Sequence, residues 1–182
     1  MGRRAENGAE RRHGAVRRAR GVLLILPLLA LAAGPALARD VLGVFQRWGA
    51  FRDSEQGRCY AISQPVAGGW KDSPWRPFAA VGYWPRQSTR GQVNIRLSHP
   101  LAEQGHATLR IGERRFTLTG GGADVWAADR QTDAAIVAAM RSGGVMSVSG
   151  TSRAGGGFTD RYNLRGAATA IDAAALGCAR VR

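Results

Sequence analysis

Residues 92–98 read QVNIRLS, and these seven residues decide the fold class. Val93, Ile95 and Leu97 fall on one side of an extended chain, and Gln92, Asn94, Arg96 and Ser98 fall on the other. Successive side chains of a strand point to opposite faces, so this stretch predicts a strand with one face in a core and one towards water. The same period recurs on either side. In ATLRIGERRFTLT, residues 107–119, Leu109 and Ile111 precede a Gly112-Glu113 pair, and Phe116 and Leu118 follow it. A glycine at the first position of a two-residue loop suits a type II′ turn, so this segment predicts a hairpin. VLGVFQRWGAF (41–51), RCYAIS (58–63) and PFAAVGYW (77–84) are further strand segments. VMSVS (145–149) and FTDRYNL (158–164) flank the glycine-rich GTSRAGGG, which reads as an open hairpin connection.

Two segments depart from this period. TDAAIVAAMRSGG (132–144) predicts a helix with Thr132 as N-cap, Ile136, Val137 and Met140 on one face, and Gly143 as the stop. GAATAIDAAALGC (166–178) predicts a second, with Ala168, Ile171 and Ala175 on one stripe that Cys178 continues. The expected fold is therefore mainly β, a β-sandwich-like single domain with two short helices. Residues 39–182 are enough to bury a core of their own, and nothing in them reads as a linker or repeat.

The first 38 residues have a different character. Residues 1–20 hold seven arginines and two glutamates; GVLLILPLLALAA (21–33) is an apolar run too short to span a bilayer comfortably, and small residues follow at Ala36 and Ala38. A basic segment, a short apolar segment and an A-x-A pattern predict a signal peptide over 1–38, cleaved after Ala38. The expected localisation is periplasmic or secreted. No cysteine follows the apolar run, which argues against a lipoprotein anchor. The whole chain carries +13, of which residues 1–38 supply +5. Lys71 is the only lysine, so the basic balance is almost all arginine, as a GC-rich coding bias would produce. Such a surface can still draw the protein to anionic lipid or acidic polymers.

SEQGRCYAISQPV (54–66) places Cys59 in a strand; the only other cysteine is Cys178. Two cysteines in an exported chain tend to pair, and this pair would tie an early strand to the C-terminal helix. The alternative is two free thiols, one of them a nucleophile.

The sequence offers no catalytic, cofactor-binding or metal site. His99 and His106 lie seven apart in SHPLAEQGHA without a carboxylate cluster, a poor metal-ligand pattern. No serine sits in a G-x-S-x-G elbow, and TGGGAD and AGGGFTD lack the lysine of a phosphate loop. Asp160 shares a face with Phe158, Tyr162 and Leu164, so it is predicted as a buried polar residue that needs a structural partner. A hydrolase using Asp160 would require a second acidic group that the sequence does not identify. GGWKDSPWRPF (68–78) sets Trp70, Lys71, Trp75 and Arg76 together as a candidate binding surface, weighed against tryptophans that simply cover the end of the core.

RWGAF followed by CYAISQ, then GADVWAADRQTDAAIVAAMRSGGVMSVSG, DRYNLRGAATAID and a cysteine near the end together resemble the bacterial invasion-associated locus B family. The resemblance runs over residues 45–178. Members often carry another cysteine just after the early tryptophan, which is absent from WGAFRDS, and SPWRPFAAVGYWP also departs from the pattern, as in a divergent branch. The resemblance implies an exported, β-rich, non-enzymatic protein of the periplasm or outer surface. Its expected partner is an envelope protein or an anionic envelope component, with association at a membrane surface and no nucleic acid. A basic module binding anionic lipid or polysaccharide is the alternative from composition.

Overall fold

The computed structural model describes residues 39–67, 71 and 73–179; the predicted signal peptide and Trp70 lie outside them. Among these residues, ten strands run in chain order with two α-helices. They are β1 (Asp40–Phe45), β2 (Trp48–Asp53), β3 (Arg58–Ser63), β4 (Phe78–Trp84), β5 (Thr89–Arg96), β6 (Ala107–Ile111), β7 (Arg114–Gly121) and β8 (Asp124–Ala127), followed by α1 (Arg130–Ser142), β9 (Val145–Thr151), β10 (Gly157–Asn163) and α2 (Ala167–Ala179). The protein is mainly β with two helices, as the alternation predicts. Its strands form one antiparallel sheet in the order β1-β2-β3-β4-β5-β8-β7-β6-β9-β10. Strand twist curls this sheet until β10 returns to the first half. There the Val66 amide donates to the Arg161 carbonyl (2.7 Å) and the Arg161 amide to the Ala67 carbonyl (2.9 Å). The Trp48 indole N–H, at the start of β2, donates to the Asn163 carbonyl at the end of β10 (2.9 Å).

The periodicity of QVNIRLS is borne out, with Val93, Ile95 and Leu97 fully buried. The predicted hairpin is β6–β7, paired from Ile111↔Arg114, and Gly112 at φ 57 takes the positive φ that the turn requires. Segment 41–51 is two strands, not one. The chain reverses at Gln46 (φ 58) and Arg47, with no glycine or proline to announce the turn. Strand β8 was not expected from the sequence, because four residues are too few to display a period.

Both helices differ from expectation in detail. The cap of α1 is Asp129, whose carboxylate accepts from the Thr132 amide (2.7 Å), so the helix starts earlier than a Thr132 cap would allow. Gly143 does end α1, but at φ −82. Glycine is required there for closeness: a Cβ would lie 2.5 Å from Ile111 Cγ2 and 3.0 Å from the Ala139 carbonyl. The buried stripe of α2 is Ala167, Ala170, Ile171, Ala174 and Cys178, rotated from the predicted one, with Ala168 and Ala175 at its margin. α2 packs on β1–β4, and α1 on β5, β7 and β8; the helices touch each other, and Arg141 pairs with Asp172 across the contact (2.6 Å).

The ladder also explains how α1 is seated. β8 covers β5 only at Asn94–Arg96, which leaves the Val93 amide beyond its end. Asp133, in the first turn of α1, accepts that amide through Oδ1 at 2.7 Å. A buried amide without a partner costs about 1–3 kcal/mol, so this carboxylate stands in for the missing strand. Among the described residues, no helix is long and apolar enough to cross a membrane.

Candidate functional site

Strand register places a trough on the face of β1–β4 that is turned away from α2. Inward residues of β2 and β3 are Trp48, Ala50, Cys59 and Ala61, all fully buried, and Cys59 is bonded to Cys178 of α2. The intervening residues face outwards and line up across the strands. Val44, Gly49, Ile62 and Ala80 form one row, and Phe51, Tyr60 and Gly82 the next. The rows are apolar and low in the middle, because Gly49 and Ala80 leave space on either side of Ile62.

Aromatic rings close the far end of the trough. The Phe51 ring lies over Gly49, where a Cβ would come within 2.6 Å of it, and stacks on Tyr60 at 5.6 Å between centroids. The Arg58 guanidinium sits over Tyr60 at 5.1 Å and is paired with Asp53. On the β4 side, Phe78 lies beneath the Arg96 guanidinium at 5.9 Å, which in turn is held by both oxygens of Asp124 (3.1 and 2.8 Å). That hydrogen bonding to Asp124 raises the Arg96 pKa further above its ordinary value, so this arginine is charged and already neutralised. The near end is formed by the β1–β2 turn, by Gln64 and Pro65 after β3, and by Arg76 and Pro77 before β4, and the trough, open to solvent, has a volume of about 680 Å³. Arg47 and Arg76 both line this end and are exposed, and neither takes part in an ion pair among the described residues. The Arg47 carbonyl is fixed by the Ser63 hydroxyl at 2.7 Å, so the turn carrying this charge is pinned to the end of β3.

The residues singled out from the sequence are distributed as follows. Cys59 and Cys178 form the expected disulfide, with Cα atoms 5.6 Å apart and both residues buried. No cysteine among them is free. Of the aromatic and basic cluster, Trp75 is half-buried and donates its indole N–H to the Leu97 carbonyl (2.8 Å), so it seals the exit of β5. Lys71 is exposed, and Arg76 is the one that reaches the trough. Arg47, Phe51 and Ile62 were not picked out, since nothing local in the sequence marks them as neighbours.

Asp160 is fully buried on β10, as its alternation with Phe158, Tyr162 and Leu164 implied. Its Oδ2 accepts from the Ser98 amide at 2.8 Å, and the Ser98 hydroxyl shares a hydrogen bond with His99 Nδ1 at 2.9 Å. Among the described residues Oδ1 has no hydrogen-bond partner, and neither has the Tyr162 hydroxyl two residues on. Burial pushes the Asp160 carboxyl up from its ordinary value, against the hydrogen bonds from Ser98 and the charge of His99. Burial, with the Asp160 charge added, pushes the Tyr162 phenol well above 10. Asp160 is closed off from solvent, and among the described residues no group of three or more His, Cys, Asp or Glu side chains could hold a metal. Compared with protein-family models, with curated proteins and with solved structures, the chain matches none.

Proposed function

We propose that this chain is an exported, envelope-associated binding protein of the invasion-associated locus B type, working in the periplasm or outside the cell and without catalytic activity. The observation that carries the reading is the Cys59–Cys178 bridge. It joins residues 119 apart, both of them buried, and such a bond persists in an oxidising compartment. The basic, apolar and A-x-A pattern of residues 1–38 supports the same compartment. The binding part of the reading rests on the trough, a concave, mostly apolar site with two charged groups at one end, within the usual size range of small-molecule sites. Against a hydrolase stands the enclosure of Asp160, whose accessible surface is nil.

The test is the intact mass of the protein from its native cells, before and after reduction, with cell fractionation alongside. The expected species begins at Arg39, lies in the envelope or medium fraction, and gains two hydrogens on reduction. A full-length, cytosolic chain with two thiols would remove the reading.

A further inference from the structure

We propose that the trough over β2–β4 binds a single-chain fatty carboxylate, with its head on Arg47 and Arg76 and its acyl chain laid across Ile62 towards Phe51. The inference deepens the binding role proposed above and rests on it. Three observations on the trough select this ligand chemistry.

First, charge is segregated. Arg58 and Arg96 beside the trough are neutralised by Asp53 and Asp124, whereas Arg47 and Arg76, together at one end, take part in no ion pair among the described residues. Among the described residues, no acidic one lines the trough. A guanidinium presents a planar fork of donors that matches a carboxylate, so two arginines at one end with no ion-pair partner among the described residues favour an anionic head there. Second, the remainder is apolar but not covered. Phe51, Ile62 and Phe78 are only half-buried, and Val44 is 69% exposed, so a hydrocarbon chain lying there would remove apolar surface from water at about 25 cal/mol per Å². Third, the trough lies on the face of β1–β4, and the free backbone edge there, that of β1, points out along the plane of the sheet, so a peptide strand added to it would lie beside the trough and not in it. Its concave form and volume of about 680 Å³ suit one chain rather than the plane of a bilayer.

The experiment is calorimetric titration of the oxidised mature protein with monomeric sodium laurate at low ionic strength. Acetate serves as head-only probe, dodecyltrimethylammonium as the same tail with the opposite charge, and phosphatidylglycerol vesicles as an anionic bilayer. Saturable binding of laurate alone is expected, weakened at least tenfold in Arg47→Ala/Arg76→Ala and changed less than twofold in Arg153→Ala. Both arginines are exposed, and matching melting curves would show that the variant is folded. Absence of saturable laurate binding to the folded wild type overturns the inference. So does equal binding of the cationic amphiphile, undiminished binding by the double variant, or binding to vesicles without binding of monomeric laurate. The mass and fractionation test is independent: an exported, bridged chain that ignores laurate leaves the envelope role standing and removes this ligand.

Discussion

Asp160 carries a proton-linked cost that the rest of the core must outweigh. With burial raising its carboxyl above the unfolded value of about 3.9, the folded state binds the proton more tightly than the unfolded one. Stability from that tighter binding is complete below about pH 4 and is lost as pH rises through the folded-state value. Asparagine can keep an acceptor for the Ser98 amide and cannot ionise. Asp160→Asn is therefore expected to match wild type near pH 4 and to exceed it increasingly up to neutral pH, with a slope of at most about 1.4 kcal/mol per pH unit. Urea melts of both proteins across pH 4–8 check this, and parallel profiles would show that Asp160 does not titrate in the transition. The inward direction of Asp160 was legible from Phe158, Tyr162 and Leu164, because period two is local. Its partner was not, since Ser98 lies 62 residues away, in the bend after β5.

Elements with a long, regular pattern were legible, and their junctions were not. β5 and the β6–β7 hairpin follow directly from alternation and one glycine, whereas the β1–β2 reversal uses Gln46 at positive φ, a conformation rare outside glycine and asparagine. Gly166, between β10 and α2, is the junction with the narrowest tolerance. It has φ 89, its carbonyl accepts from the Ala170 amide in the first turn of α2 (3.0 Å), and a Cβ on it would overlap the Phe45 carbonyl oxygen at the end of β1. Ala at this position must either strain the backbone or push β1 away from α2. Gly166→Ala is expected to destabilise by roughly 2–4 kcal/mol, combining backbone strain with overpacking. Gly121→Ala is the comparison, because its Cβ would meet nothing within 4 Å and its φ is not positive; its change should stay within about 0.5 kcal/mol. Chemical denaturation of the two variants decides, and equal stabilities would mean that the β1–α2 contact yields freely.

At the scale of the whole molecule, the trough was hidden from sequence reading because one of its rows joins Val44, Gly49, Ile62 and Ala80, which sit side by side on four neighbouring strands but are spread over 36 residues of the chain. Only Arg76 of its charged end was singled out, and that for its neighbours Trp70 and Trp75 rather than for Arg47. The disulfide was legible because two cysteines leave one pairing. Its consequence follows from where it lies: α2 packs on β1–β4, and the bridge fastens its last turn to β3. Opening the bridge frees a closed loop of about 120 residues in the unfolded chain, worth about 4–5 kcal/mol in the chain-entropy model, more than most single contacts in a core contribute. Cys59→Ala/Cys178→Ala is thus expected to lower the thermal midpoint by more than about 10 °C. It should also steepen the dependence of stability on urea, since an unlinked chain exposes more surface when unfolded. A lowered midpoint with an unchanged urea slope would place the loss in the folded state, at the contact of α2 with β3, and an unchanged midpoint would mean that Ala167, Ala170, Ile171 and Ala174 hold α2 without help from the bridge.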